Sequence, residues 1–304
     1  VRSVLAAEDL PLVRPEARRR ARLSQNFLTD GDAVRLILRC SGVRPGDLVV
    51  EPGAGEGALT RPLARRAGRV IAYEIDPALA RRLSRRLAAD PAVRVAGRDF
   101  LTAGPPAEPF AVVGNIPYAR TSEIVRWCLA ARTLTSATLL TQLEYARSRT
   151  GGYGRWTLRT VQSWPEFRWR LGPRVGREAF TPVPRTDSAV LRLERRRTPL
   201  LPPSALPAYR ALVAEGFTGV GGSLRATLSR GSRGSRGSRG SRGSRGRPPG
   251  RVRAAFRAAE LAPGTPVGHV TPAQWLALFE ELHPAGAGER APLPDGDPDR
   301  GRDG

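Results

Sequence analysis

Lysine and methionine are absent from this 304-residue chain. All 50 basic residues are therefore arginine, set against 28 acids, for a formal net charge of +22. A GC-rich coding bias explains why arginine replaces lysine, but not why arginine so outnumbers aspartate and glutamate. That excess suits a polyanionic partner, because each neutralised phosphate releases counterions, and nucleic acid is the first candidate. Cysteine is scarce. Cys40 and Cys128 stand far apart in no C-x-x-C pair, which excludes a disulfide framework and fits reduced thiols in a cytoplasmic protein. The two histidines, His269 and His283, stand alone, so no metal is expected. No apolar run approaches the roughly 20 residues of a membrane span. The N-terminal stretch has no apolar core of a signal peptide.

Hydrophobic residues make up 40% of the chain, enough for a folded core. Residues 1–22 are rich in proline and arginine and read as a flexible basic arm. Short apolar runs then alternate with helical patterns. Strands are expected at 47–50, 70–73, 93–96, 110–114 and 137–143, with helices at 32–40, 59–67, 77–88 and 123–129. This alternation predicts an α/β fold with a parallel sheet covered on both faces, closed by antiparallel strands at 167–171 and 189–193. After a proline-rich linker at 200–203 the pattern turns helical over 204–228, 251–261 and 272–282, with Thr271 as an N-cap. The expected division is a main domain over 23–197 and a small helical domain over 198–283. The latter is interrupted at 229–250 by six Ser-Arg-Gly copies (229–246) and the residues after them. A disordered tail is expected over 284–304. The repeat holds no acidic, aromatic or apolar residue, and reads as a flexible loop that at most adds non-specific affinity for a polyanion.

Four motifs carry chemistry. Glu51–Gly57 (EPGAGEG) follows the first strand, where glycines at 53, 55 and 57 let backbone approach a ligand at the carboxyl end of a sheet. The acid Glu56 within that loop disfavours a pyrophosphate and tolerates a cationic amino-acid cofactor. Glu74, in YEID (73–76), lies 21 residues beyond Gly53, near the ~20-residue offset at which a carboxylate meets ribose hydroxyls. Asp99, in GRDFL (97–101), could accept from an exocyclic amine of adenine, with Phe100 either against the ring or in the core. GNIPY (114–118) suits methyl transfer to an adenine amine. The N6 lone pair is delocalised, so the amine needs its hydrogens held rather than a strong base. The Asn115 side-chain oxygen and the Ile116 carbonyl can hold them, Pro117 sets the backbone, and Tyr118 offers a stacking face.

These motifs occur in the order found in the ribosomal RNA adenine N6-methyltransferases, which the chain resembles over about residues 22–283. SQNFL (24–28), QLEYA (142–146) and FTPVPRTDSAV (180–190) extend the resemblance. It implies a class I S-adenosylmethionine-dependent methyltransferase fold: Rossmann-like, a mostly parallel seven-stranded sheet with a small α-helical C-terminal domain. It also implies S-adenosylmethionine as cofactor. The implied cofactor residues are Gln25, Asn26, Leu28, Glu51, Gly53, Gly55, Glu74, Ile75, Asp99, Phe100 and Asn115. Phe180 would close over the target adenine opposite Tyr118.

Gly114 before NIPY, the segment EYARSRTGGYGRW (144–156) and the short helical C-terminal part resemble the erythromycin-resistance branch, which modifies one adenine of 23S rRNA. The expected partner is thus 23S rRNA, with Arg120, Arg147, Arg149 and Arg155 as candidate phosphate contacts and the enzyme acting as a monomer. A 16S rRNA dimethyltransferase and a non-catalytic nucleic-acid-binding factor of the same fold are the alternatives.

Overall fold

A computed structural model describes residues 26–219, 222–230 and 246–284. The basic arm (1–22), Gln25, residues 231–245 of the repeat and the tail beyond Pro284 lie outside the described residues.

A two-residue strand, β1 (Phe27–Leu28), leads into α1 (Gly31–Ser41), which Asp30 caps by accepting from the Ala33 amide at 2.8 Å. The Rossmann-like run follows: β2 (Leu48–Pro52), α2 (Thr60–Ala64), β3 (Arg69–Tyr73), α3 (Pro77–Arg86), β4 (Val93–Ala96), β5 (Phe110–Asn115), α4 (Thr121–Ala130) and β6 (Leu134–Gln142). Beyond it come α5 (Leu143–Arg149), α6 (Leu158–Ser163), β7 (Phe167–Val175), β8 (Phe180–Thr181) and β9 (Ser188–Arg195). The last elements are α7 (Leu206–Gly216), α8 (Leu224–Arg230), α9 (Pro249–Ala258) and α10 (Pro272–Leu282).

The seven-stranded sheet has the order β4-β3-β2-β5-β6-β9-β7, and β2 pairs in parallel with both β3 and β5. β3–β4 and β5–β6 are also parallel. From β2 the chain steps outward to β3 and β4, then returns to the other side of β2 as β5. That reversal opens a crevice beyond the carboxyl ends of β2 and β5, where open α/β sheets take their ligands. β2 is buried along its whole length, as a central parallel strand covered on both faces should be.

Two compact units emerge. The first holds residues up to Leu143 together with Gly172–Leu191, and the second holds Glu144–Leu171 together with residues from Arg192 onward. The core of the first includes Ile37, Val49, Leu63, Val113, Leu140 and Phe180. That of the second gathers Val161, Tyr209, Val252, Trp275 and Phe279. The sequence put its break at 197, yet 144–171 groups with the C-terminal helices. The Tyr209 hydroxyl donates to the Val161 carbonyl at 3.0 Å, and the Trp156 amide donates to the Gly268 carbonyl at 2.6 Å.

The expected single helix over 204–228 is two helices, α7 and α8, because Gly219 and Gly222 adopt left-handed φ of +66° and +78° between them. The helix expected at 59–67 closes after Ala64. Thr271 and Gln274 form a full capping box at the start of α10. Arg247 inserts between α7 and α8, where its Nη1 donates to both Glu215 oxygens at 3.0 and 2.9 Å. Beside it, Gly246 lies so close to the end of α8 that a Cβ there would stand 2.5 Å from the Ser229 carbonyl oxygen.

Candidate active site

A cleft of about 610 Å³ lies in the first unit, at the carboxyl ends of β2, β3 and β5. Its walls are Asn26–Thr29, the glycine loop from Glu51 to Leu59, Glu74 and Ile75, Asp99–Leu101, and Asn115–Arg120. All four motifs picked out in the sequence therefore meet in one place. Of the expected cofactor residues, Asn26, Leu28, Glu51, Gly53, Gly55, Glu74, Ile75, Asp99, Phe100 and Asn115 all line it.

The loop keeps its shape through glycine. Gly55 has φ +54°, and a Cβ there would stand 3.0 Å from the Phe27 ring, while one on Gly57 would meet Leu83 at 2.6 Å. The Gly55 amide donates to Glu74 Oε2 at 2.7 Å, and the Asp76 amide donates to Glu74 Oε1 at 2.8 Å. Main-chain donors thereby fix the carboxylate of Glu74, a residue only 1% exposed, at the cleft wall. Burial raises its pKa. Burial pushes Glu51 up to about 8, with the neighbouring Glu74 charge adding to the effect against a bond from Thr60 Oγ1 at 2.6 Å. The exposed acid Glu56 lies 3.5 Å from Arg82, so its charge is shared with a neighbour.

Asp99 accepts from the Leu101 amide at 3.0 Å and from Arg120 Nη1 at 2.9 Å. Phe100 belongs to an aromatic cluster, with its centroid 5.7 Å from Tyr73 and 4.3 Å from Trp127, and still contributes to the cleft wall. Ile75, 43% exposed, adds an apolar surface on which a flat ring can lie.

At the end of β5, Asn115 Nδ2 donates to the Asn26 carbonyl at 2.8 Å. That bond commits the nitrogen end of the amide and leaves Oδ1 as the acceptor end. Ile116 is buried, and Pro117 holds an extended φ/ψ of −59°/126°. The Tyr118 hydroxyl shares a 2.6 Å hydrogen bond with Ser188 Oγ at the start of β9. Ser188 belongs to the FTPVPRTDSAV segment, but nothing in its local sequence signals a link to Tyr118.

Two expectations differ from what the chain does. Phe180 does not line the cleft: β8 pairs with β1 (Leu28 opposite Phe180), and the ring lies 1% exposed in the core with Leu28 and Ile37. Arg120, grouped in the sequence with Arg147, Arg149 and Arg155, instead lines the cleft, bonded to Asp99 and, at 3.0 Å, to Glu123. The other three belong to the second unit. Arg149 donates to Thr157 Oγ1 at 2.9 Å and lies over the Tyr145 ring, whereas Arg147 and Arg155 are exposed.

The cleft falls within the roughly 300–1,000 Å³ of small-molecule sites. A backbone cradle, a fixed carboxylate and an apolar ledge fit the nucleoside and amino-acid parts of S-adenosylmethionine. Among the described residues no cluster of His, Cys, Asp and Glu could hold a metal, and no helix is long and apolar enough to cross a membrane.

Comparison with known proteins agrees with this geometry. The chain is 52% identical to an rRNA methyltransferase of Streptomyces thermotolerans over 271 residues, covering 89% of this chain and 86% of that protein. It is 51% identical to an rRNA adenine N-6-methyltransferase of Streptomyces fradiae, covering 88% and 80%. The crystal structure of the 23S rRNA methyltransferase ErmE superimposes with a TM-score of 0.77 at 48% identity, covering 84% of this chain and 99% of that one. A dimethyladenosine transferase from Plasmodium falciparum shares the fold at 18% identity, with a TM-score of 0.67. The profile of the family described as "Ribosomal RNA adenine dimethylase" matches residues 16–240. The chain therefore belongs to the ribosomal RNA adenine dimethylase family and has the class I S-adenosylmethionine-dependent methyltransferase fold.

Proposed function

We propose that this chain methylates N6 of one adenine in the peptidyl transferase loop of 23S rRNA, and so protects the ribosome against macrolide, lincosamide and streptogramin B antibiotics. The observation that carries the chemistry is the anchored amide of Asn115, whose Nδ2 is held by the Asn26 carbonyl inside the cleft. The likeness to ErmE, a 23S rRNA methyltransferase, supports the choice of substrate.

The cofactor, when bound, supplies a methyl group on a positively charged sulfur. The glycine loop and Glu74 would hold its nucleoside and amino-acid parts, with Ile75 and Phe100 beside the base. Asn115 Oδ1 and the Ile116 carbonyl accept the two amine hydrogens of an extruded adenine, turning the nitrogen lone pair toward the methyl. Tyr118, steadied through its hydroxyl by Ser188, stacks on the base. The contribution is positioning and electrostatic complementarity. Once methylated, the nitrogen carries an extra, acidic proton that passes to water, so no charged general base is required. Exposed arginines of the second unit supply phosphate contacts.

Labelled methyl transfer onto 23S and 16S rRNA, followed by nuclease mapping of the labelled fragment, tests this reading. The expected result is a single labelled site in the 23S peptidyl transferase loop. Label in 16S rRNA alone overturns it.

A further inference from the structure

Tyr153 occupies a position that no step of methyl transfer uses. It is 51% exposed, and among the described residues it is the one aromatic in the set of exposed large hydrophobic side chains. Its loop is well fixed. The Gly152 amide donates to the Arg147 carbonyl at 2.9 Å, closing the end of α5, and the Gly154 amide donates to the Gly151 carbonyl at 2.9 Å. Gly151 and Gly154 have φ of +80° and +63°. A Cβ on Gly151 would stand 2.6 Å from the Trp156 ring, so the turn is seated directly on that indole. Trp156 in turn packs edge-on against Trp164 at 5.6 Å and is tied through its amide to Gly268. The result is a short, anchored turn that holds a phenol ring out into solvent.

The surroundings are basic. From Glu144 to Arg159 there are four arginines and one acid. Arg149 is engaged by Thr157 and Tyr145, while Arg147 and Arg155, which flank Tyr153 in the sequence, are exposed. A solvent-facing aromatic on a segment that also carries two exposed arginines has the chemistry of a stacking platform for an unpaired base, with cations available for nearby phosphates. We infer that Tyr153 stacks on an unpaired base of the RNA substrate other than the adenine that is methylated, with Arg147 and Arg155 on the adjoining phosphates. A turn anchored in advance lowers the entropy lost on docking. The inference rests on the proposed RNA substrate and adds a recognition residue to it.

Equilibrium binding of the full chain to an unmethylated hairpin RNA carrying the peptidyl transferase loop, at several salt concentrations, provides the test. Tyr153→Ala should weaken binding about tenfold, by a similar factor at each salt concentration. Tyr153→Trp should stay within about twofold of wild type. Arg155→Gln should reduce the slope of log affinity against log salt by about one. Thermal stability and S-adenosylmethionine binding should not change in any of the three. If Tyr153→Ala binds within about twofold of wild type, or Tyr153→Trp is as weak as the alanine variant, the inference falls. A wild-type chain that methylates 16S rRNA and not this hairpin defeats the 23S reading instead, and the Tyr153 comparison is then read on a 16S fragment.

Discussion

The two units differ in how the polar groups that matter most to each are held. In the first, the cleft's polar groups are fixed largely by main chain: Glu74 by the Gly55 and Asp76 amides, Asp99 by the Leu101 amide, Asn115 by the Asn26 carbonyl. In the second, exposed arginines stand in solvent, and a buried charge is held side chain to side chain, as Arg247 holds Glu215. Chemistry that depends on direction is built on backbone, which cannot rotate away. Recognition of a polyanion depends on the number of charges and on a few aromatic surfaces, and long side chains suffice.

The largest effect should come from removing a directional group. Asn115→Ala should lower methyl transfer by about 10²–10³-fold, as loss of a positioned polar group at a reacting centre does. RNA affinity and melting temperature should stay near wild type, read by labelled transfer, binding and calorimetry. Wild-type turnover in this variant would erase the distinction between the units.

Next in size is the side-chain pair of the second unit. Arg247→Ala leaves the buried Glu215 carboxylate without its cation and should cost about 3 kcal/mol, seen as a drop in melting temperature. Removing both partners should cost less than removing Arg247 alone. Affinity for S-adenosylmethionine should be unchanged, since these residues lie outside the cleft.

The smallest effect concerns Glu51, whose carboxyl is raised from 4.5 to about 8 by burial. The folded state binds that proton more tightly than the unfolded chain does. Its stabilising contribution is therefore complete below about pH 4.5 and is lost as pH climbs toward 8. Glu51→Gln mimics the protonated form, so its melting temperature should fall less than that of wild type between pH 6 and 9. Parallel curves for the two proteins would show that Glu51 ionises normally.

The same contrast governs how much could be read from the chain. The glycine loop, Glu74, Asp99 and NIPY were legible because a turn that needs left-handed φ, or a carboxylate at a strand end, leaves its mark in consecutive residues. The alternating strands and helices of the first unit were legible through their periodicity. What escaped reading was set by distant partners. β1 and β8 are two residues each, about 150 positions apart, and too short to show a period, yet their pairing puts Phe180 in the core. Ser188 meets Tyr118 across 70 positions. Arg120 resembles any other arginine in this chain until Asp99 and Glu123 are seen beside it. The split of the helix expected at 204–228 was carried by Gly219 and Gly222, where local propensity was outweighed by backbone freedom.

The close approach of Gly246 to Ser229 at the end of α8 bears on variants of the repeat length. The chain departs from and returns to nearly one point, so helix packing is indifferent to how many codons lie between. Doubling such a connection costs only about 0.6 kcal/mol of closure entropy. Variants with one Ser-Arg-Gly copy added or removed should therefore keep the wild-type melting temperature, read by calorimetry. Each copy added or removed changes the formal charge by one unit.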